Sequence, residues 1–160
     1  MDLWSLKPVK RPALPAMKQT AWATSDIDRL TDLTEELIAA VSIPMFAEHV
    51  PAAITGESDP ERALRKLRRK HTGMLCVTLG PRGSMLLIGD TLFVVAAPVI
   101  DAVDTTGAGD VFRGAFITAM LRGDSPERIL RVANAAAAIA CTREGALDSV
   151  PTLAQIEALL

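Results

Sequence analysis

No run in this sequence is long or apolar enough to span a bilayer. The longest, Ala135 to Cys141, is short and mostly alanine. The N-terminus carries Lys and Arg but no apolar core of the secretory kind. Cysteine is scarce. Cys76 and Cys141 stand in apolar surroundings and read as two buried thiols in a reducing compartment, not as a disulfide or metal site. No cluster of His, Cys and carboxylates has metal-ligand spacing: His49 has no companions, and His71 fits the end of a basic helix as a cap. An excess of charge is lacking too. Seventeen Lys and Arg against 19 Asp and Glu leave a formal net charge of −2, with no general pull toward nucleic acid or anionic membrane. What is present is apolar content, 49% of 160 residues, enough for one domain with a real core. A soluble cytoplasmic protein with no nucleic-acid or membrane partner is the expectation.

Taken in order, residues 1–24 read as an irregular arm, because Pro8, Pro12 and Pro15 interrupt any periodicity. Ser25 suits the cap of a helix running to about Val41. Ile43 to Ala47 reads as a short strand and Glu48 to Ile54 as a short helix or turn, ended by Thr55-Gly56. Ser58 or Asp59 caps the next helix, with Pro60 at its first position and Ala63, Leu64 and Leu67 on its apolar side. That helix also carries Arg62, Arg65, Lys66, Arg68, Arg69 and Lys70. A solvated outer face explains these better than a nucleic-acid patch, because no aromatic residues interleave. Met74 to Thr78 reads as a buried strand of the parallel kind, and Ser84–Ile88 and Thr91–Val95 as a hairpin turning at Gly89-Asp90. Helices are expected over Val111–Leu121, from Ser125-Pro126 to about Thr142, and after Pro151-Thr152. The small side chains of Ala133 to Ala140 imply that another helix or a flat ligand approaches closely.

The chain is organised around Asp104-Thr105-Thr106-Gly107-Ala108-Gly109-Asp110, a turn of small residues leading from an apolar segment into a helix. The first N–H groups of a helix lack internal partners and attract an anion. Gly107 and Gly109 permit positive φ and close approach, and successive N–H groups there suit an anion-binding nest. Asp110 would repel a bound anion, which a catalytic base beside a phosphoryl group explains. An acidic first-turn residue favoured by the helix dipole is the plainer alternative. A P-loop is excluded, because Asp110 and Val111 stand where it needs Lys and then Ser or Thr. Upstream, Thr78-Leu79-Gly80-Pro81-Arg82-Gly83 follows a buried strand, where open α/β sheets bind ligands.

Asp104 to Asp110, continuing to Phe116, resembles the second signature of the ribokinase family, the pfkB-type carbohydrate kinases. The resemblance implies an α/β fold: a mainly parallel sheet flanked by helices, like the Rossmann-like C-terminal half of a family member. It implies transfer of the γ-phosphoryl group of ATP, with Mg2+, to a hydroxymethyl group of a sugar or nucleoside. On that resemblance Gly107, Ala108, Gly109 and Asp110 form the anion hole, with Asp110 as the base. Thr78, Gly80, Arg82 and Gly83 line the nucleotide site, and Asn134 stands near the adenine. Asp104, Thr106, Ala140, Arg143, Gly145 and Ser149 match positions that hold a monovalent cation, K+ among them, mostly through carbonyl oxygens. Arg113 and Arg143 are the nearest cations, either phosphate contacts or surface ion pairs.

Two departures accompany the resemblance. The family's Asn-x-x-Glu motif falls on Ala47-Glu48-His49-Val50, where only Glu48, displaced by two positions, is left to substitute. The resemblance also covers only Ser25 to Leu160, an incomplete domain matching the family's C-terminal half. A truncated, non-catalytic nucleotide-binding remnant, or a subunit that needs another chain, is therefore the alternative reading. For the 160 residues alone the expectation is nucleotide binding that is weak at best, no sugar phosphorylation, and self-association or only marginal stability from an unpaired sheet edge and an exposed apolar face.

Overall fold

The computed structural model describes residues 36–160. The expected arm and the start of the first helix lie outside these residues; residues 36–40 are helical. There follow β1 (Met45–Ala47), α1 (His49–Thr55), α2 (Pro60–Leu67), β2 (Leu75–Thr78), β3 (Ser84–Ile88), β4 (Thr91–Val95), α3 (Ala108–Leu121), α4 (Pro126–Cys141) and α5 (Leu153–Leu159).

 The last of these, the Leu153–Leu159 helix, starts at a capping box in which Thr152 and Gln155 bond to each other's backbone N–H. Asp59 and Ser125 cap α2 and α4 by accepting from the N–H groups of Arg62 and Arg128, each with Pro next in sequence.

The strands form one sheet in the order β1-β2-β3-β4. The α/β class and flanking helices are as expected, but the parallel share is smaller among the described strands. β1 pairs with β2 in parallel, whereas β2–β3 and β3–β4 are antiparallel. The reason is local. The crossover through α1 and α2 returns the chain for a parallel pairing, while the two-residue Gly89-Asp90 turn and the short 79–83 link leave no room for a crossover.

Side-chain alternation splits the core across this sheet. Leu75, Val77 and Leu87 join Leu64, Leu67 and Phe46 on one face. Cys76 and Leu86 point the other way, onto Phe112, Phe116, Leu130 and Ala133 of α3 and α4. The alanines of α4 let α3 pack closely on one side and the sheet on the other, so the expected close neighbour is a helix. The C-terminal end of β2, the 79–83 turn and the start of α3 are thereby placed around one cavity.

His71 departs from expectation. α2 ends at Leu67, and His71 is buried beyond it. Gly73 N–H donates to its Nδ1 at 3.1 Å, so Nε2 carries the proton and donates to Val41 O at 2.7 Å. The ring ties the entry of β1 to the entry of β2 rather than capping a helix.

Candidate active site

α3 begins at Ala108, three residues earlier than the apolar periodicity indicates, because Gly107 supplies a left-handed cap at φ 78°. A Cβ there would stand 2.9 Å from the Ala146 Cβ, so the turn also needs glycine for space. Ala108 N–H donates to Thr105 O, and the N–H groups of Asp110 and Val111 both donate to Gly107 O. Among the described residues nothing accepts from the N–H groups of Gly107 or Gly109. Of the four residues expected to form an anion hole, Ala108 and Asp110 spend their N–H groups internally. Gly109 is exposed and offers its N–H at the positive end of a 14-residue helix.

The turn is held by a carboxylate. Asp104 Oδ1 accepts from Thr106 N–H at 2.9 Å, and Oδ2 accepts from Gly145 N–H at 3.0 Å. Hydrogen bonds from Thr106 N–H, then from the Thr106 hydroxyl and Gly145 N–H, hold the Asp104 carboxyl below its ordinary value. Three of the six residues matched to a cation site, Asp104, Thr106 and Gly145, are thus directly joined. Ala140 O already accepts from Arg143 N–H at 3.2 Å, and the buried Ser149 hydroxyl donates to Ala146 O.

The Asp110 carboxylate is exposed and accepts from Arg113 Nη1 at 2.9 Å, one helical turn on. Arg113 is accordingly in an ion pair, while Arg143 is half-buried and makes no side-chain ion pair among the described residues. The basic run of α2 is also largely engaged. Arg65 pairs with Glu61, Lys66 donates to Thr55 O, and Arg68 donates to His71 O and Gly73 O.

Facing the start of α3 is the 79–83 turn. Leu79 N–H donates to Gly83 O at 2.8 Å, and Gly83 N–H donates to Gly80 O at 3.0 Å. Gly83 has φ 97°, and a Cβ there would lie 2.0 Å from Val95 O and 2.6 Å from Ala97 N. This glycine is required by the backbone leaving β4. Asn134 is buried in α4; its Nδ2 donates to Val95 O at 3.0 Å and to Ala96 O at 3.4 Å. Its amide thus braces the same 95–97 segment.

Between these walls lies a cavity of about 360 Å3, within the size range of small-molecule sites. Thr78, Gly80 and Gly83 line one side, Thr105, Ala108 and Gly109 another, and Asn134, Ala137 and Cys141 a third. Arg82 points away into an ion pair with Glu48, at the end of β1. Cys141 corrects its expected burial, being only half-buried at the cavity wall. Burial and then Asp104 raise its thiol, whereas burial pushes the Cys76 thiol up to about 12. A second cavity of about 520 Å3 adjoins Gly107 and Asp110 on the far side of α3, beside Leu147, Val150 and Leu153. The Asp110 turn therefore separates two spaces. Among the described residues no helix is long and apolar enough to cross a membrane, and no group of three or more His, Cys, Asp or Glu is arranged to hold a metal.

Comparison with known proteins agrees with this geometry. The profile of the pfkB family carbohydrate kinases matches residues 13–153. A ribokinase of Haemophilus influenzae is 32% identical over 125 residues, covering 75% of this chain and 41% of its own length. The aminoimidazole riboside kinase of Salmonella typhimurium is 28% identical over 149 residues, covering 90% and 46%. Among solved structures, a putative ribokinase II from E. coli in complex with ATP and Mg2+ has a TM-score of 0.76 at 30% identity, covering 84% of this chain and 44% of that one. Arabidopsis thaliana ribokinase complexed with ribose and ATP has a TM-score of 0.72 at 33% identity, covering 78% and 42%. The chain thus spans less than half the length of each of these relatives. With a ribokinase-like fold, and a family match that takes in both walls of the cavity and the Asp110 turn, the chain belongs to the pfkB family of carbohydrate kinases.

Proposed function

We propose that this chain carries the nucleotide-binding and catalytic portion of an ATP-dependent kinase acting on a sugar or nucleoside hydroxymethyl group. The observation that carries this reading is the start of α3. An unpartnered Gly109 N–H faces one cavity, and the Asp110 carboxylate stands at the wall of another. ATP occupies the smaller cavity, with Thr78, Gly80, Arg82, Gly83 and Asn134 as its surroundings and its phosphates toward Gly109. The acceptor hydroxyl comes from the Asp110 side.

Asp110 takes the proton of that hydroxyl as its oxygen attacks the γ-phosphorus and the bond to the bridging oxygen of ADP breaks. Arg113 holds the Asp110 carboxylate until the acceptor arrives. The N–H groups at the start of α3 stabilise charge on the transferred group without reorganising. Magnesium, when bound, neutralises the phosphates; one or two carboxylates suffice beside them, so a cluster of protein ligands is not needed. Glu48 is the acidic side chain at the ends of the parallel strands. A K+ ion near Asp104, Thr106, Ala140, Arg143, Gly145 and Ser149 belongs to the same reading. There it would stiffen the turn that Asp104 already ties to Gly145. A reducing, cytoplasmic setting is supported by the two free thiols.

The test is a chimera in which residues 36–160 replace the matching portion of a ribokinase. Asp110→Asn is expected to lower turnover by about 10²–10⁴-fold while changing ATP affinity little. A variant keeping more than half of the chimera's turnover removes Asp110 from the chemistry.

A further inference from the structure

The 79–83 turn and the end of β1 are joined by an ion pair. Arg82 and Glu48, 34 residues apart, pair across the C-terminal ends of the two parallel strands. Both side chains are at least half exposed. Such a pair contributes little to stability, so its purpose is not to hold the fold.

The backbone beneath Arg82 is fixed. Arg82 N–H donates to Leu79 O, Gly83 N–H donates to Gly80 O, and Gly83 is locked against the Val95–Ala97 backbone. Its sequence neighbours Pro81 and Gly83 both line the smaller cavity. The guanidinium is therefore exposed to solvent while the backbone that anchors it is fixed. Arg113, the cation beside Gly109, is committed to Asp110. Arg82 stands between two residues of the cavity wall, though its guanidinium now points away from the cavity, and its present partner is a single solvated carboxylate. A polyphosphate offers several charged oxygens to a planar fork and outcompetes one carboxylate.

We propose that Arg82 exchanges Glu48 for the phosphates of a bound nucleotide, and that Glu48 is a built-in competitor that selects for polyphosphate over uncharged nucleoside. This rests on the nucleotide reading above and adds Glu48 as a residue that lowers affinity. The exchange moves one guanidinium between two anions and breaks no covalent bond. A nucleoside lacking phosphate leaves the pair intact and gains nothing from Arg82. A di- or triphosphate gains the arginine, less the small cost of parting it from Glu48, and frees the Glu48 carboxylate beside the phosphates.

The experiment is calorimetric titration of ATP and, separately, adenosine into the 160-residue chain, its Glu48→Gln and Arg82→Gln variants and the double variant, without divalent metal. Thermal melts confirm that each variant is folded, as exposure of both side chains leads us to expect. Arg82→Gln should weaken ATP binding by about tenfold, the scale of one charge-assisted hydrogen bond, and leave adenosine unchanged. Glu48→Gln should tighten ATP by about threefold, the scale of an exposed ion pair, again sparing adenosine. In the Arg82→Gln background the Glu48→Gln gain should vanish. The proposal is overturned if Glu48→Gln leaves ATP affinity unchanged or weaker, or if its gain persists without Arg82. If the parent chain binds ATP but the variants match it, the exchange alone fails. If the parent chain binds neither ligand, the nucleotide reading fails and the exchange with it.

Discussion

The two walls of the smaller cavity are built by opposite means. The 79–83 wall is held chiefly by backbone: Leu79 N–H donates to Gly83 O, Gly83 N–H donates to Gly80 O, and Gly83 is pressed onto the chain leaving β4, which the Asn134 amide braces from behind. The 104–110 wall is held by a side chain, the Asp104 carboxylate, which ties Thr106 to Gly145. The difference teaches where each wall tolerates change. A backbone-built wall is rigid and intolerant of any side chain at its contact point. A carboxylate-built wall responds to pH, to substitution and to a nearby cation, while the core beneath it stays intact.

The sharpest way to break the comparison is Gly83→Ala. The added methyl meets Val95 O in a conformation that L-residues avoid, so the variant should lose on the order of 4 kcal/mol of unfolding free energy in urea. A loss below about 1 kcal/mol would mean that the wall gives way and is not rigid. A smaller effect is expected from Asn134→Ala, which strips the amide from Val95 O and Ala96 O behind the same wall. About 1–3 kcal/mol should be lost in the same titration, and a neutral result would remove Asn134 as its brace.

The smallest effect belongs to the other wall. The Asp104 carboxyl is lowered in the folded chain from an ordinary 3.8, so its support is complete above that value and lost as pH falls through the depressed one. Stability of the parent minus that of Asp104→Asn should be flat at neutral pH and shrink only below about pH 4. A difference that instead changes between pH 6 and 8 would assign the support to another group.

Much of this arrangement was legible in the chain. Pro60 after Asp59, Pro126 after Ser125 and Gly89-Asp90 between alternating runs mark local events, and each element falls where those residues put it. The Asp104–Asp110 turn was legible for the same reason, because a left-handed glycine and a helix cap are local requirements. What escaped reading depends on partners distant in sequence. Gly83 looks like a turn glycine, yet its necessity comes from Val95 and Ala97. His71 has the position of a helix cap, yet its ring bonds to Val41. Nothing near Glu48 in sequence marks its partner, Arg82, which it meets across the ends of two strands. The parallel share of the sheet was overestimated because a continuous apolar run such as Leu75–Thr78 records burial on both faces and not the direction of its neighbours.

The central claim is that both walls close on one nucleotide. It is tested most directly by amide hydrogen exchange of the 160-residue chain with and without saturating ATP. The account predicts added protection confined to two separated stretches, residues 78–83 and 105–110, with β1 to α2 outside the site unchanged. Protection of neither stretch, or of the 105–110 turn without the 78–83 wall, would contradict it.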